Sequence, residues 1–88
     1  MHVVAVKSFN KDVAQITNRS LARKVETVLR KLESADNISK VGNIKKLEGE
    51  PNAFRIRVGD YRIGFFLEGN TVRLMIFAHR KEIYRYFP

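Results

Sequence analysis

The chain has 88 residues, enough for one domain, and 44% of them are hydrophobic against 30% charged, a globular rather than a disordered balance. Lys and Arg total 17 against 9 Asp and Glu, a formal charge of +8, and there is no cysteine. The charge points to a polyanion or an acidic protein as partner, while the lack of thiols removes disulfides, thiolate nucleophiles and cysteine-bound zinc. The positive excess is shared equally between residues 1–44 and 45–88, so it belongs to folded segments and not to a tail. The apolar run within Met1 to Lys7 is too short for a signal peptide or a membrane span, and a cytoplasmic protein without a membrane partner is expected.

His2 to Lys7 reads as a short strand, because Val3, Val4 and Val6 are β-branched. Ser8 or Asn10 is placed to cap a brief helix with Phe9, Val13 and Ile16 on its apolar side. After the break at Thr17-Asn18, with Asn18 as cap, a longer helix follows. Leu21, Val25, Val28, Leu29 and Leu32 form its stripe, Glu26 and Arg30 support its outer side, and Asp36-Asn37 ends it. Such a helical hairpin needs a sheet to cover its apolar face. Residues 38–52 read as a loop anchored by Ile44 and Leu47.

From Ala53 the period changes to two. Phe54 to Val58, Tyr61 to Leu67 and Val72 to His79 read as three strands joined at Gly59-Asp60 and Gly69-Asn70, which are two-residue hairpin signals. With those loops Val58 faces Tyr61, Arg57 faces Arg62 and Leu67 faces Val72. One face then collects Phe54, Ile56, Val58, Tyr61, Ile63, Phe65, Leu67, Val72, Leu74, Ile76 and Ala78, a continuous apolar surface for the helices. The other collects Arg55, Arg57, Arg62, Arg73, Gly64, Phe66, Met75, Phe77 and His79. The whole is an α+β fold: one small two-layer domain over residues 1–88 with an N-terminal strand, a helical hairpin and an antiparallel sheet.

On the second face Arg57, Arg62 and Phe77 are expected in one row, with Arg55 opposite Gly64 and Arg80 near the Gly59-Asp60 end. Neighbouring guanidiniums repel by roughly 1 kcal/mol per close pair. An RNA phosphate relieves this, since guanidinium forks grip phosphate oxygens and rings stack on bases. The patch of Phe66, Met75 and Phe77 is either a contact site or is covered by Tyr84 to Pro88. His79 is the one group on this face that titrates near neutrality when unperturbed, which makes it a candidate base or acid. Lys45 and Lys46 join Arg55, Arg57, Arg73 and Phe77 as candidate RNA or phosphate contacts. Arg19, Arg23, Lys24, Arg30 and Lys31 form solvated faces that RNA could also use. Two distant histidines and scattered acids make no metal-nuclease set, and no Gly-rich phosphate loop or Ser-His-Asp set is present, so neither metal nor cofactor is expected.

Three segments carry a family resemblance: Lys46-Leu47-Glu48-Gly49, Phe54 to Ile63 with its Gly-Asp-Tyr-Arg core, and His79-Arg80-Lys81-Glu82-Ile83-Tyr84. Together they resemble the RelE/ParE superfamily, the toxin halves of type II toxin–antitoxin systems, over about residues 45–85. The resemblance implies a RelE-like, metal-independent endoribonuclease that cleaves mRNA on the ribosome and so inhibits translation, with an antitoxin protein as partner. The alternative it leaves is a ParE-like inhibitor of DNA gyrase without nuclease activity. By the same resemblance Arg62 stabilises the transition state, Arg80 is the second arginine, and Tyr84 orients substrate by stacking or activating the hydroxyl. Arg55 and Arg57 stand where some relatives carry lysines. Arginine stays protonated above pH 12, so these two can hold phosphate but are poor general bases.

Overall fold

Val3 and Val4 lie in strand β1 (His2–Ala5) in the computed structural model, which describes residues 1–88; the strand stops short of the expected Lys7, because Val6 and Lys7 open the first helix. Helix α1 (Lys7–Val13) starts at Val6 without a side-chain cap, and neither Ser8 nor Asn10 caps it. Helix α2 (Arg19–Ser34) does start as expected, with the Asn18 side chain accepting from the Leu21 N–H at 3.0 Å. It ends at Ala35, slightly before Asp36-Asn37. Val25 and Leu32 of its stripe are buried, and Leu21, Val28 and Leu29 pack around them. No helix is long and apolar enough to cross a membrane.

The segment read as loop contains a single 3₁₀ turn at Ile38–Lys40 and a strand, β2 (Ile44–Lys46), entered through Asn43 in the left-handed region at φ 62°. Asn tolerates that conformation better than most residues. Strands β3 (Ala53–Val58), β4 (Tyr61–Glu68) and β5 (Thr71–His79) follow, and a one-turn helix α3 (Ile83–Tyr86) closes the chain. Gly59 and Gly69 each take φ 61° at the first position of their two-residue loops, as a type II′ hairpin turn requires. The sheet has five strands in the order β1-β5-β4-β3-β2. It is mixed and not wholly antiparallel, because β1 runs parallel to β5.

Between β3 and β4 every expected pair is present: Val58 with Tyr61, Arg57 with Arg62 and Arg55 with Gly64. Between β4 and β5 the hairpin also begins as expected, with Glu68 opposite Thr71 and Leu67 opposite Val72. Then Phe65 pairs with Leu74 and Gly64 with Ile76, so Met75 is extruded in a bulge. One extra residue exchanges the faces of everything after it. Ile63 therefore pairs with Phe77, Arg62 with Ala78 and Tyr61 with His79.

The bulge has a cause on a distant segment. Strand β1 accompanies β5 only as far as Leu74, whose carbonyl accepts from the Val6 N–H at 3.1 Å. Beyond that point α1 lies along the edge of β5. Ser8 Oγ donates to the Met75 carbonyl at 2.7 Å, and Asp12 Oδ2 accepts from the Phe77 N–H at 3.1 Å. Two side chains of α1 thus satisfy backbone groups that a longer β1 would have paired.

The main core lies between the helices and the sheet, with Phe9, Val25 and Leu32 against Ile56, Val58, Ile63, Phe65, Val72, Leu74 and Phe77. A smaller cluster of Ala53, Ile83 and Phe87 covers the opposite face, with Phe66, Met75, Ile76 and Ala78 packed on it. The C-terminal residues therefore cover the apolar patch of that face. Ile44 and Leu47 anchor their segment, one to each cluster.

Candidate active site

Four guanidiniums line one cavity on the face of the sheet opposite α1 and α2, beside the part that α3 and Phe87 cover. Arg57 and Arg62 are paired across β3 and β4, and Arg55 lies two residues along β3 from Arg57. Arg80 follows β5, and its N–H donates to the Asp60 carbonyl at 2.8 Å, which ties it to the β3–β4 turn. These four, with Lys45, Lys81, Asn43 and Ile83, line an open cavity of about 560 Å³ with no carboxylate in its wall. Asn43 leads into β2 and Lys45 belongs to it. The Arg57 N–H donates to the Asn43 carbonyl at 3.0 Å, and Lys45 sits opposite Arg55.

Arg62 is the most constrained of the four. Its Nη1 donates to the carbonyls of Gly59 at 3.0 Å and Tyr61 at 2.9 Å, so the guanidinium is held at the turn while Nε and Nη2 have no protein acceptor. Burial first, and then the charges of Arg57, Arg80 and Arg55, push its pKa below the usual arginine value; Asp60 alone opposes them. The site is thus a cluster of like charges with no carboxylate in its wall. Arg55 is partly engaged, its Nη2 donating to the Phe87 carbonyl at 3.2 Å, while its buried Nε has no partner.

The structure corrects the face of two expected residues, Phe77 and His79, and places Arg73 and Lys46 outside the cavity wall. Phe77 does not stand in the row of Arg57 and Arg62: the bulge turns it to the helix face, where it is 6% exposed and stacks on Tyr61 with ring centroids 5.0 Å apart. Small Ala78 takes its place beside Arg62. His79 is turned the same way and meets Tyr61 edge-on, centroids 5.3 Å apart, so it does not line the arginine cavity. Its Nδ1 accepts from the Lys81 N–H at 3.1 Å, which makes it a brace for the turn after β5. Arg73 lies in the row of Phe66 and Val4, beyond the patch covered by Phe87, and pairs with Glu68 at 2.9 Å. Lys46 sits opposite Phe54, away from the cavity and beside the loop to Pro51.

Tyr84 is 60% exposed on α3 and is not part of the cavity wall, although its neighbour Ile83 is. Lys81 and Asn43 line the cavity and were not singled out from the sequence. Lys81 had a signal, since it follows Arg80 directly; Asn43 had none. Arg57 also borders a second groove of about 590 Å³ between α2 and the β3–β4 turn, lined by Arg19, Arg23, Lys24 and Lys31. No three His, Asp or Glu side chains stand close enough together to hold a metal ion.

No family model matches the chain. Among curated proteins, Toxin RelE3 of Methanocaldococcus jannaschii is 34% identical over 89 residues, covering all of both chains. Among solved structures, the RelB–RelE antitoxin–toxin complex from Methanococcus jannaschii aligns with a TM-score of 0.81 and 32% identity over 97% of this chain and 99% of that one. The archaeal RelE–RelB complex from Pyrococcus horikoshii aligns at 0.73 with 20% identity over 90% and 93%. The intact E. coli RelBE complex aligns at 0.66 with 17% identity over 89% and 94%. The last two show the shared fold, and the first two comparisons extend the likeness to sequence over the full length. This chain belongs to the RelE family of toxins.

Proposed function

We propose that this toxin cleaves mRNA on the ribosome, without a metal, by attack of a ribose 2′-hydroxyl on the adjacent phosphorus. The observation that carries the reading is the acid-free cavity where Arg55, Arg57, Arg62 and Arg80 converge. Charge grows on the phosphoryl oxygens as the 2′ oxygen attacks. Prepositioned cations with no carboxylate beside them in the wall interact with that state more strongly than with the ground state. Arg62, held at the turn with two donors free, serves the phosphorane, with Arg80 beside it. Arg55 and Arg57 hold the flanking phosphates, and the exposed Tyr84, next in sequence to the wall residue Ile83, stacks on a base.

Placement of the reacting bond is left to the ribosome, which supplies the positioning that an open cavity lacks. The relatives from Methanococcus jannaschii and Pyrococcus horikoshii were solved with RelB antitoxins. We assign this chain a RelB-like partner whose acidic segment neutralises the cavity. Antitoxin-free protein mixed with mRNA-programmed ribosomes is expected to yield fragments ending in 2′,3′-cyclic phosphate and 5′-hydroxyl, with the Arg62→Ala variant inactive. Hydrolysis by a metal-bound water leaves 5′-phosphate instead, so end-group labelling tests whether the 2′-hydroxyl is the nucleophile. Intact mRNA together with inhibited gyrase supercoiling would overturn the reading.

A further inference from the structure

We infer that Lys81 is the proton donor to the leaving 5′ oxygen, with His79 as its positioning residue; this rests on the nuclease reading above. In the cleavage step the 2′-oxygen–phosphorus bond forms and the phosphorus–5′-oxygen bond breaks. The 2′-hydroxyl proton passes to solvent, the 5′ oxygen takes a proton, and the donor regains one from solvent. An alkoxide is a poor leaving group, so the step needs an acid close to that oxygen. Guanidinium gives up a proton poorly at neutral pH, which sets aside the four arginines. His79 is on the other face, Tyr84 is outside the wall, and no carboxylate lines the cavity. Of the side chains that can exchange a proton, the wall holds Lys45 and Lys81.

The backbone separates these two. Lys81 sits in a turn with three consecutive amides tied down: Arg80 to the Asp60 carbonyl at 2.8 Å, Lys81 to His79 Nδ1 at 3.1 Å, and Glu82 to the His79 carbonyl at 2.8 Å. The turn therefore holds the backbone of Arg80 and Lys81 fixed while both side chains line the cavity. Lys45 belongs to a three-residue edge strand that is paired on one side only. A reacting group needs a fixed support, and Lys81 has one.

The test compares two mRNAs on ribosomes, one normal and one with sulfur in place of the bridging 5′ oxygen at the cleavage site. A thiolate leaves without protonation. Lys81→Arg and Lys81→Met are each expected to slow cleavage of the oxygen substrate by about 10²-fold or more. Both should return to within a few-fold of the parent protein on the sulfur substrate. Full activity of Lys81→Arg would reduce the residue to a charge and overturn the proposal, as would a defect that persists with sulfur. Overturn would also follow if Lys45→Arg, and not Lys81→Arg, showed the sulfur-rescued loss. Failure of the parent protein to cleave either substrate would instead sink the nuclease reading and this proposal with it.

Discussion

Arg57 is exposed, opposite Arg62 in the sheet, and it is the first of the like charges that lower the Arg62 pKa. The folded chain holds these cations together, while the unfolded chain lets them separate. A cation whose pKa is lowered by folding makes the folded state bind protons less readily. Stability is thus regained only as pH rises toward the ordinary arginine range, far above neutrality. Arg57→Gln is accordingly expected to raise Tm by roughly 2 °C at low salt, since partly exposed pairs contribute little. The gain should be flat from pH 6 to 9 and vanish in about 1 M salt, where the Debye length is about 3 Å. The same variant should cleave mRNA at least about tenfold more slowly. Thermal melts and cleavage rates measured on one preparation check both halves, and a fall in Tm would show that Arg57 packs more than it repels.

Among the elements, the β4–β5 bulge decides which residues can share the site, and it was not legible in the sequence. Both hairpin turns were, because Gly59-Asp60 and Gly69-Asn70 each supply a residue suited to positive φ, and the β3–β4 register followed. The arginine cluster was legible for that reason. Met75 carries no such mark: it is not glycine, and the groups that hold the bulge open, Ser8 and Asp12, lie more than sixty residues away in sequence. Strand β2 escaped for a related reason, since three residues are too few to show a period and their pairing comes from β3. Asp12→Ala leaves the partly buried Phe77 N–H without an acceptor and is expected to cost about 1–3 kcal/mol. Hydrogen exchange at the Phe77 amide should accelerate more than at Leu74. Gly64 marks the other face. A Cβ there would overlap the Phe87 ring and come within 2.9 Å of Ile76 Cγ2. Gly64→Ala should destabilise by about 1–3 kcal/mol, and most of that cost should disappear when Phe87→Ala is already present. Additive losses in the double variant would mean that Phe87 does not occupy that space in solution.

For the whole molecule, the charge of +8 is organised as two neighbouring basic concavities that share Arg57. A single RNA strand confined to the arginine cavity meets only the few phosphates that Arg55, Arg57, Arg62 and Arg80 can reach. Each neutralised phosphate contributes about −0.7 to the slope of log affinity against log salt. Three such contacts give a slope near about −2, and a strand that continued over Arg19, Arg23, Lys24 and Lys31 would roughly double it. Binding of a short single-stranded RNA measured between low and moderate salt is expected to follow the shallower slope. Arg62→Ala should flatten it by about 0.7, and Lys31→Ala should leave it unchanged. A steep slope that Lys31→Ala flattens would move the principal nucleic-acid contact to α2. The distinction matters because the arginine cavity is the place where charge is concentrated against its own repulsion. A contact spread along α2 would draw on the net charge of the chain without using that arrangement.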